Sequence, residues 1–348
     1  MKRYLVAFAL IAVVCVGGYA ALSLANPVAQ DSGPPAAIMV GLEPNQANSL
    51  IYIADENGHF AANGLAVTLK NYSSGAAAAD GLLAGEADVA MATEWVLAGR
   101  ALEQRPVVAI ASIDRFEQVY LLGRTDRGIR NATDLKGRTI GLPRKTSTEF
   151  YLGRFLNLAG IGLGDVAIVD VPATHAADAL ANGTVDAVVA WRPYAMRVQD
   201  RMRNGSVVWP AQSGQPSYCT AVTTTTWLSG HPETARRFLS ALARAEADVD
   251  NDSTAARAIV GKRLNYESAY LALIWPEHRF ALSLDESLVA AMQDEARWKV
   301  ANNLTNATAI PDFTEYISTT ALASVNPPAV RIIGGTGAAP PAAAEVRR

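Results

Sequence analysis

Four short stretches of this chain hold side chains whose types and spacing suit gripping a small solute. In Lys145-Thr146-Ser147-Thr148, a cation and three hydroxyls stand just ahead of a helical pattern that opens at Glu149. Thr146-x-x-Glu149 fits a capping box, in which the threonine hydroxyl bonds a backbone N–H and the glutamate reaches back. The unpaired N–H groups of the same helix start, with Lys145, Ser147 and Thr148 beside them, also make an anion site, and the two roles can coexist. In Trp191-Arg192-Pro193-Tyr194, the aromatic pair can stack on a flat ligand or wall off an alkyl chain, and Arg192 can bond a carboxylate or sulfonate in two places. The plainer alternative packs Trp191 under its loop as core and turns Arg192 to solvent. Thr93-Glu94-Trp95 carries a carboxylate that repels a simple anion but suits a ligand with an amine; as a plain loop residue it would be solvated. Asn45, Gln46 and Asn48 offer amide hydrogen bonds, or cap a helix that begins at Ser49.

The elements that must position these stretches follow from hydrophobic periodicity. Short apolar runs (Ala36 to Gly41, Val107 to Ala111, Thr139 to Leu142, Ala167 to Val171) alternate with helical patterns such as Ser49 to Asn63 and Glu149 to Ala159. Strands alternating with helices of that length predict an α/β fold on largely parallel sheets.

The chain also echoes itself. Ala78-Ala-Asp-Gly-Leu-Leu-Ala-Gly-Glu-Ala-Asp-Val-Ala-Met-Ala92 aligns 98 positions later with Ala176-Ala-Asp-Ala-Leu-Ala-Asn-Gly-Thr-Val-Asp-Ala-Val-Val-Ala190. Asp80/Asp178, Leu82/Leu180, Gly85/Gly183 and Asp88/Asp186 coincide, and Val40-Gly-Leu42 is echoed by Ile140-Gly-Leu142. An Ala-rich chain matches itself by chance to some degree, but the repeated strand-then-helix order favours a structural repeat. Ligands of open parallel sheets bind beyond the carboxyl ends of the strands. That places Glu43 to Ser49, Thr93 to Trp95, Pro143 to Thr148 and Trp191 to Tyr194 in one cleft, provided the two copies face each other.

Composition narrows the function classes. With 348 residues, half of them hydrophobic, the chain can bury a substantial core in two domains of ordinary size. A net charge of −3 gives no footprint for nucleic acid. His59, His175, His231 and His278 are scattered, and no HExxH, Cys/His cluster or GxSxG elbow is present, so no metal site, cofactor or catalytic residue is expected. Lys2 and Arg3, an apolar run to Val16 and small residues to Ala25 give residues 1–25 the layout of a cleaved export signal, with an uncleaved anchor as the alternative. Residues 26–36 read as a linker and 326–348 as an unstructured Ala/Pro/Gly-rich tail. After cleavage Cys219 is the one thiol left, so no internal disulfide can form.

The segments GLEPNQANSLIYIADENGHFAANGLAVTL, GLLAGEADVAMAT, DLKGRTIGLPRKTSTEFYL and NGTVDAVVAWRPYAMRV resemble the NMT1/THI5-like solute-binding proteins of ABC importers for nitrate, sulfonates, taurine and thiamine precursors, over about Ile38 to Ile317. The resemblance implies a two-lobed, type II periplasmic-binding fold joined by a two-strand hinge, with residues 37–118 and 221–325 as one lobe and 119–220 as the other. It places the crossings near Glu117 to Arg124 and near Ser217 to Thr224. Trp191-Arg-Pro-Tyr194 is similar to the family's Trp-x-Pro-Tyr segment, and Tyr218 becomes a further contact candidate. The implied function is an exported, monomeric receptor, periplasmic or on the outer face of the cytoplasmic membrane. It would bind a small organic anion or zwitterion and deliver it to an ABC permease. Alternatives are a thiamine-precursor pyrimidine, with Trp95, Trp191 and Tyr194 stacking on the ring, or a small-acid enzyme on the same fold.

Overall fold

A computed structural model describes residues 34–212 and 214–332; the expected export signal, most of the linker and the tail beyond residue 332 lie outside the described residues. The chain opens with β1 (Ala36–Leu42), α1 (Ser49–Glu56), β2 (Leu65–Asn71), α2 (Gly75–Leu83), β3 (Val89–Thr93), α3 (Glu94–Leu102) and β4 (Val107–Phe116). It continues through β5 (Val119–Arg124), β6 (Thr139–Leu142), α4 (Thr148–Leu158), β7 (Ala167–Asp170), α5 (Ala176–Ala181), β8 (Ala187–Trp191), α6 (Tyr194–Met202) and β9 (Ser206–Pro210). The return leg holds β10 (Ser217–Thr224), α7 (Pro232–Asn251), β11 (His278–Asp285), α8 (Glu286–Ala301) and β12 (Val330–Arg331).

Two sheets result, ordered β12-β11-β4-β10-β3-β1-β2 and β7-β6-β8-β5-β9. In each, one strand runs parallel to two neighbours: β1 with β2 and β3, β6 with β7 and β8. Each sheet also takes in one antiparallel strand that has just crossed from the other: β5 between β8 and β9, and β10 between β3 and β4. The first crossing needs only Glu117 and Gln118; the second is residues 211–216. The return crossing expected near Ser217 to Thr224 thus ends where β10 begins. All of β10 pairs in the first sheet, because its buried run satisfies the backbones of β3 and β4, and residues 217–220 go with that sheet. Within the stretch expected as a tail from residue 326, Val330 and Arg331 instead form β12 and pair with β11.

The internal echo has a mechanical cause. Asp88 accepts the Met39 N–H through its carboxylate (2.7 Å) and donates its own N–H to the Met39 carbonyl (2.8 Å). Asp186 does the same to Thr139, at 3.0 and 2.8 Å. Each repeated aspartate thus clamps the strand after the repeated helix to the middle one of its three parallel strands. Gly41 and Gly141 are matched because a Cβ at either would lie 2.9 Å from a side chain, Tyr72 or Val171. Gly85 and Gly183 end their helices at φ +75° and +79°, where glycine is favoured. The Asp80/Asp178 match has no such shared role: Asp80 pairs with Arg100, while Asp178 is exposed.

Period two sorts the core of the second sheet. Leu121 and Val189 face one hydrophobic cluster, Leu122 and Val188 the other, which is why β8 reads as an unbroken apolar run. Where the chain crosses, the buried Gln212 side chain does the backbone's bonding. Its Oε1 accepts from Gln118 N–H (2.6 Å) and Val119 N–H (2.9 Å), and its Nε2 donates to the carbonyls of Phe116 (3.2 Å) and Gln215 (3.1 Å). Gln212→Leu strands these buried groups at a cost of about 1–3 kcal/mol for each one left unpaired. Urea unfolding is expected to show a loss of at least about 2 kcal/mol; a loss under about 0.5 kcal/mol would mean the crossings are held by other contacts.

Candidate functional site

The carboxyl ends of β1, β3, β6 and β8 converge on one cavity between the sheets. Its walls are Glu43, Asn45, Ala47 and Asn48 after β1, Met91 to Thr93 at the end of β3, Thr146 and Ser147 ahead of α4, and Trp191 at the end of β8. Ser74, Gly75 and Ala76 at the start of α2 and Val96 on α3 complete the sides; the crossing region closes it with Phe116, Gln118, Val119 and Cys219. Its volume of about 80 Å³ is several times the ~10–15 Å³ that admits one water. It therefore has room for a small solute. All four loops singled out from the repeat contribute to it.

Two helix starts reach this space. Ser74 caps α2 by accepting the Ala77 N–H (3.1 Å), and the first intrahelical bond runs from Ala78 N–H to the Ser74 carbonyl. The N–H groups of Gly75 and Ala76 thus precede the helical ladder at the cavity wall. Gly75 allows this approach, since a Cβ there would lie 3.1 Å from Ala92 Cα and 3.2 Å from the Met91 carbonyl. At α4 the expected capping box does not form. Glu149 reaches back to the Lys145 N–H (3.1 Å), but the Thr146 hydroxyl donates to the Pro143 carbonyl (2.8 Å) and meets the Thr148 hydroxyl (2.7 Å). The left-handed Lys145 (φ +64°) tightens the loop so that Thr146 faces back along it instead of capping the helix.

The electrostatics centre on Glu43. It accepts from Asn45 Nδ2 (3.1 Å) and from the Trp191 side chain, and burial pushes its carboxyl up to about 7 against those two donors. Cys219 is buried, and burial together with Asp114, Glu94 and Glu43 drives its thiol well above the ordinary value. It is held protonated and is a poor nucleophile. Among the described residues no group of three His, Cys, Asp or Glu side chains could hold a metal ion.

Of the residues expected to form the site, the structure brings Asn45, Asn48, Thr93, Thr146, Ser147 and Trp191 to the cavity wall. The other eight are not among its lining residues. Gln46 is buried and donates to the Gln118 side chain, and Thr148 is buried on the Pro143 carbonyl (3.2 Å). Lys145 offers its carbonyl to the Trp95 indole (3.3 Å). Trp95 lies in a cluster with Phe150 and Trp298, under the Lys299 ammonium at 2.9 Å from its ring centre. Arg192 is neither solvent-facing nor in the cleft. Its Nε and Nη2 donate to Glu277 (2.8 and 2.9 Å) and its Nη2 to the Tyr120 hydroxyl (2.9 Å), tying β8 to the return leg. Tyr194 packs edge-on against Trp191, with ring centres 5.7 Å apart. Tyr218 donates to Ser287 (2.9 Å), which leaves the next residue on β10, Cys219, to face the cavity by strand alternation.

Glu94 is the largest departure from expectation. It accepts the Tyr218 N–H (2.8 Å), and burial raises both its carboxyl and that of Glu295 beside it, so the pair holds a proton. Glu43, Ser74, Phe116 and Gln118 were missed as site residues. Only Glu43 carried a signal, as the first residue of a loop already singled out.

Two sheets exchanging one strand each around a cavity at their strand ends define the type II periplasmic-binding fold. The chain belongs to the NMT1/THI5 like family, whose profile matches residues 45–256. A Brucella abortus protein named only as a provisional binding protein is 27% identical over 154 residues, 44% of this chain and 47% of its own, so the chain spans about half the length of that relative. A Bacillus subtilis protein provisionally named as aliphatic sulfonates-binding is 28% identical over 228 residues, 64% of this chain and 68% of its own. The formylaminopyrimidine-binding protein of Halalkalibacterium halodurans is 26% identical over 152 residues, 44% and 46% of the two chains. Among solved structures, the periplasmic aliphatic sulphonate binding protein SsuA of Escherichia coli superposes with a TM-score of 0.68 at 16% identity, over 81% of this chain and 97% of its own. The desulfurization enzyme DszB shares the fold at a TM-score of 0.63 and 16% identity, over 83% and 98% of the two chains.

The buried acids set a pH dependence. The unfolded chain releases the Glu94 and Glu295 protons near the usual ~4.3, whereas the folded chain keeps a proton to higher pH. Folding therefore binds protons there, and stability falls as pH rises from about 5 toward 7. Lys299, pulled down to about 7 by burial, acts above that window: its contribution recovers as pH rises further. Thermal melts are expected to show a falling Tm between pH 5 and 7, and Glu94→Gln is expected to flatten it by a few degrees. Equal slopes in the two proteins would show that the pair holds no proton.

Proposed function

We propose that this chain is the exported solute-binding component of an ABC importer, working as a monomer. Its cleft takes a small organic anion or zwitterion of the sulfonate or taurine type and presents it to a membrane permease. The observation that carries this reading is the cavity itself: small, between two sheets joined by two crossings, and reached by the starts of α2 and α4. Helix starts offer N–H groups and positive dipole ends to an anion without a cationic side chain. Trp191 and Phe116 supply apolar wall for a short carbon skeleton. Contacts to both sheets favour the closed arrangement when a solute is bound. The sulfonate names of the Bacillus subtilis relative and of the Escherichia coli structure support the ligand class. The binding names of the relatives and the protonated Cys219 support retention of the solute over chemistry on it, although DszB carries an enzyme on the same fold.

A thiamine-precursor pyrimidine is the second reading. It is favoured by the Halalkalibacterium relative and by Trp191 and Phe116 sharing the cavity wall, but without the Trp95 and Tyr194 stacking first expected.

A thermal-shift screen of sulfonates, taurine, nitrate and pyrimidines tests these readings, because a ligand of the folded state raises Tm by mass action. Sulfonate-type solutes are expected to raise it; a rise with pyrimidines alone would replace the first reading by the second. Trp191→Ala is expected to weaken the bound solute about 10–100-fold, or ~1.5–3 kcal/mol. Unchanged affinity in calorimetry would remove Trp191 from the contact set.

A further inference from the structure

Taking the cleft as a solute site, we infer that Glu43 selects the solute, which presents an N–H-bearing amino group to its carboxylate, so that anions lacking such a group are discriminated against. The inference rests on what lines the cavity. Glu43 is the only charged side chain among the described lining residues; no lysine, arginine or histidine is there. Of the two cations expected there, Arg192 is committed to Glu277 and Tyr120, and Lys145 is not among the lining residues. A carboxylate can accept about four hydrogen bonds. Glu43 receives two, from Asn45 and Trp191, and both donors are neutral.

Its charge therefore stands without a counter-ion. Burial is the main cause that raises the acid groups around it, Cys219 on β10, Tyr194 on α6 and Tyr266 on the return leg, and the Glu43 charge adds to each. The cavity thus has a negative pole at Glu43, while the Gly75 and Ala76 N–H groups lie on its wall at the start of α2. A simple anion meets the helix start but also the carboxylate. A solute with an anionic group and an amino group satisfies both, and exchanges a lone half-buried charge for a charge-assisted hydrogen bond. An aliphatic ammonium and the amino edge of a pyrimidine share this chemistry, and the two must be told apart by measurement.

Calorimetry at pH 8 distinguishes them, with taurine, ethanesulfonate, an aminopyrimidine and the same pyrimidine without its amino group as probes. Wild-type protein is expected to bind taurine at least 10-fold more tightly than ethanesulfonate, or the aminopyrimidine 10-fold more tightly than its des-amino analogue. The pair that shows the preference identifies the source of the amino group. Glu43→Gln, checked for folding by its thermal melt, is expected to abolish that preference and to leave ethanesulfonate bound equally or more tightly. Equal wild-type affinities within each pair would overturn the role of Glu43 while leaving the receptor reading intact. A preference that survives Glu43→Gln would overturn it as well. If none of the four binds wild-type protein, the ligand classes of the receptor reading fail, and the selection by Glu43 fails with them.

Discussion

Everything in this molecule depends on how the backbone is satisfied where the chain passes from one sheet to the other. Buried N–H and C=O groups demand partners, and a crossing segment belongs to neither ladder at the point of transfer. Gln212 supplies them: one buried side-chain amide bonds Phe116, Gln118, Val119 and Gln215, and Ala211 N–H adds a bond to the Val119 carbonyl (2.8 Å). With the crossings closed in this way, each sheet can incorporate the other's outgoing strand as its antiparallel member. The carboxyl ends of the parallel strands are then held against one space, and Gln118, one of the bonded residues, forms part of its wall.

A second theme is the treatment of charge removed from water. Where a partly buried acid meets a cation in good geometry, the ion pair fastens elements together, as Glu277 and Arg192 do beside Trp191. Where it has none, the group is raised and keeps its proton, as the Glu94 and Glu295 pair does between α3 and α8. Glu43 lies between these cases. It is buried enough to be raised to about 7, yet it is open to a cavity in which a partner can arrive. The same desolvation that costs stability at Glu94 is a means of recognition at Glu43.

Much of the frame was legible before any coordinates. The self-match from Ala78 to Ala92 onto Ala176 to Ala190 is visible because it encodes a mechanical part used twice: Leu82 and Leu180 bury the helix, Gly85 and Gly183 end it, and Asp88 and Asp186 clamp the middle parallel strand. The site was legible by loop and much less by residue. Thr93 faces the cavity while Glu94 turns under β10, and Trp191 faces it while Arg192 turns to Glu277. Adjacent residues in such loops point in different directions, and no periodicity in the sequence says which of them points inward.

The sequence by itself determined what local chemistry controls: alternating strands and helices, a duplicated unit, and the loops at the strand ends. Tertiary structure alone decided which half β10 joins, because its buried backbone finds partners only between β3 and β4. It also decided that Glu43, and not Glu94, is the carboxylate that meets the solute space. Desolvation and the supply of hydrogen-bond partners are properties of what surrounds a residue in space, and chain neighbours supply only a small part of those surroundings.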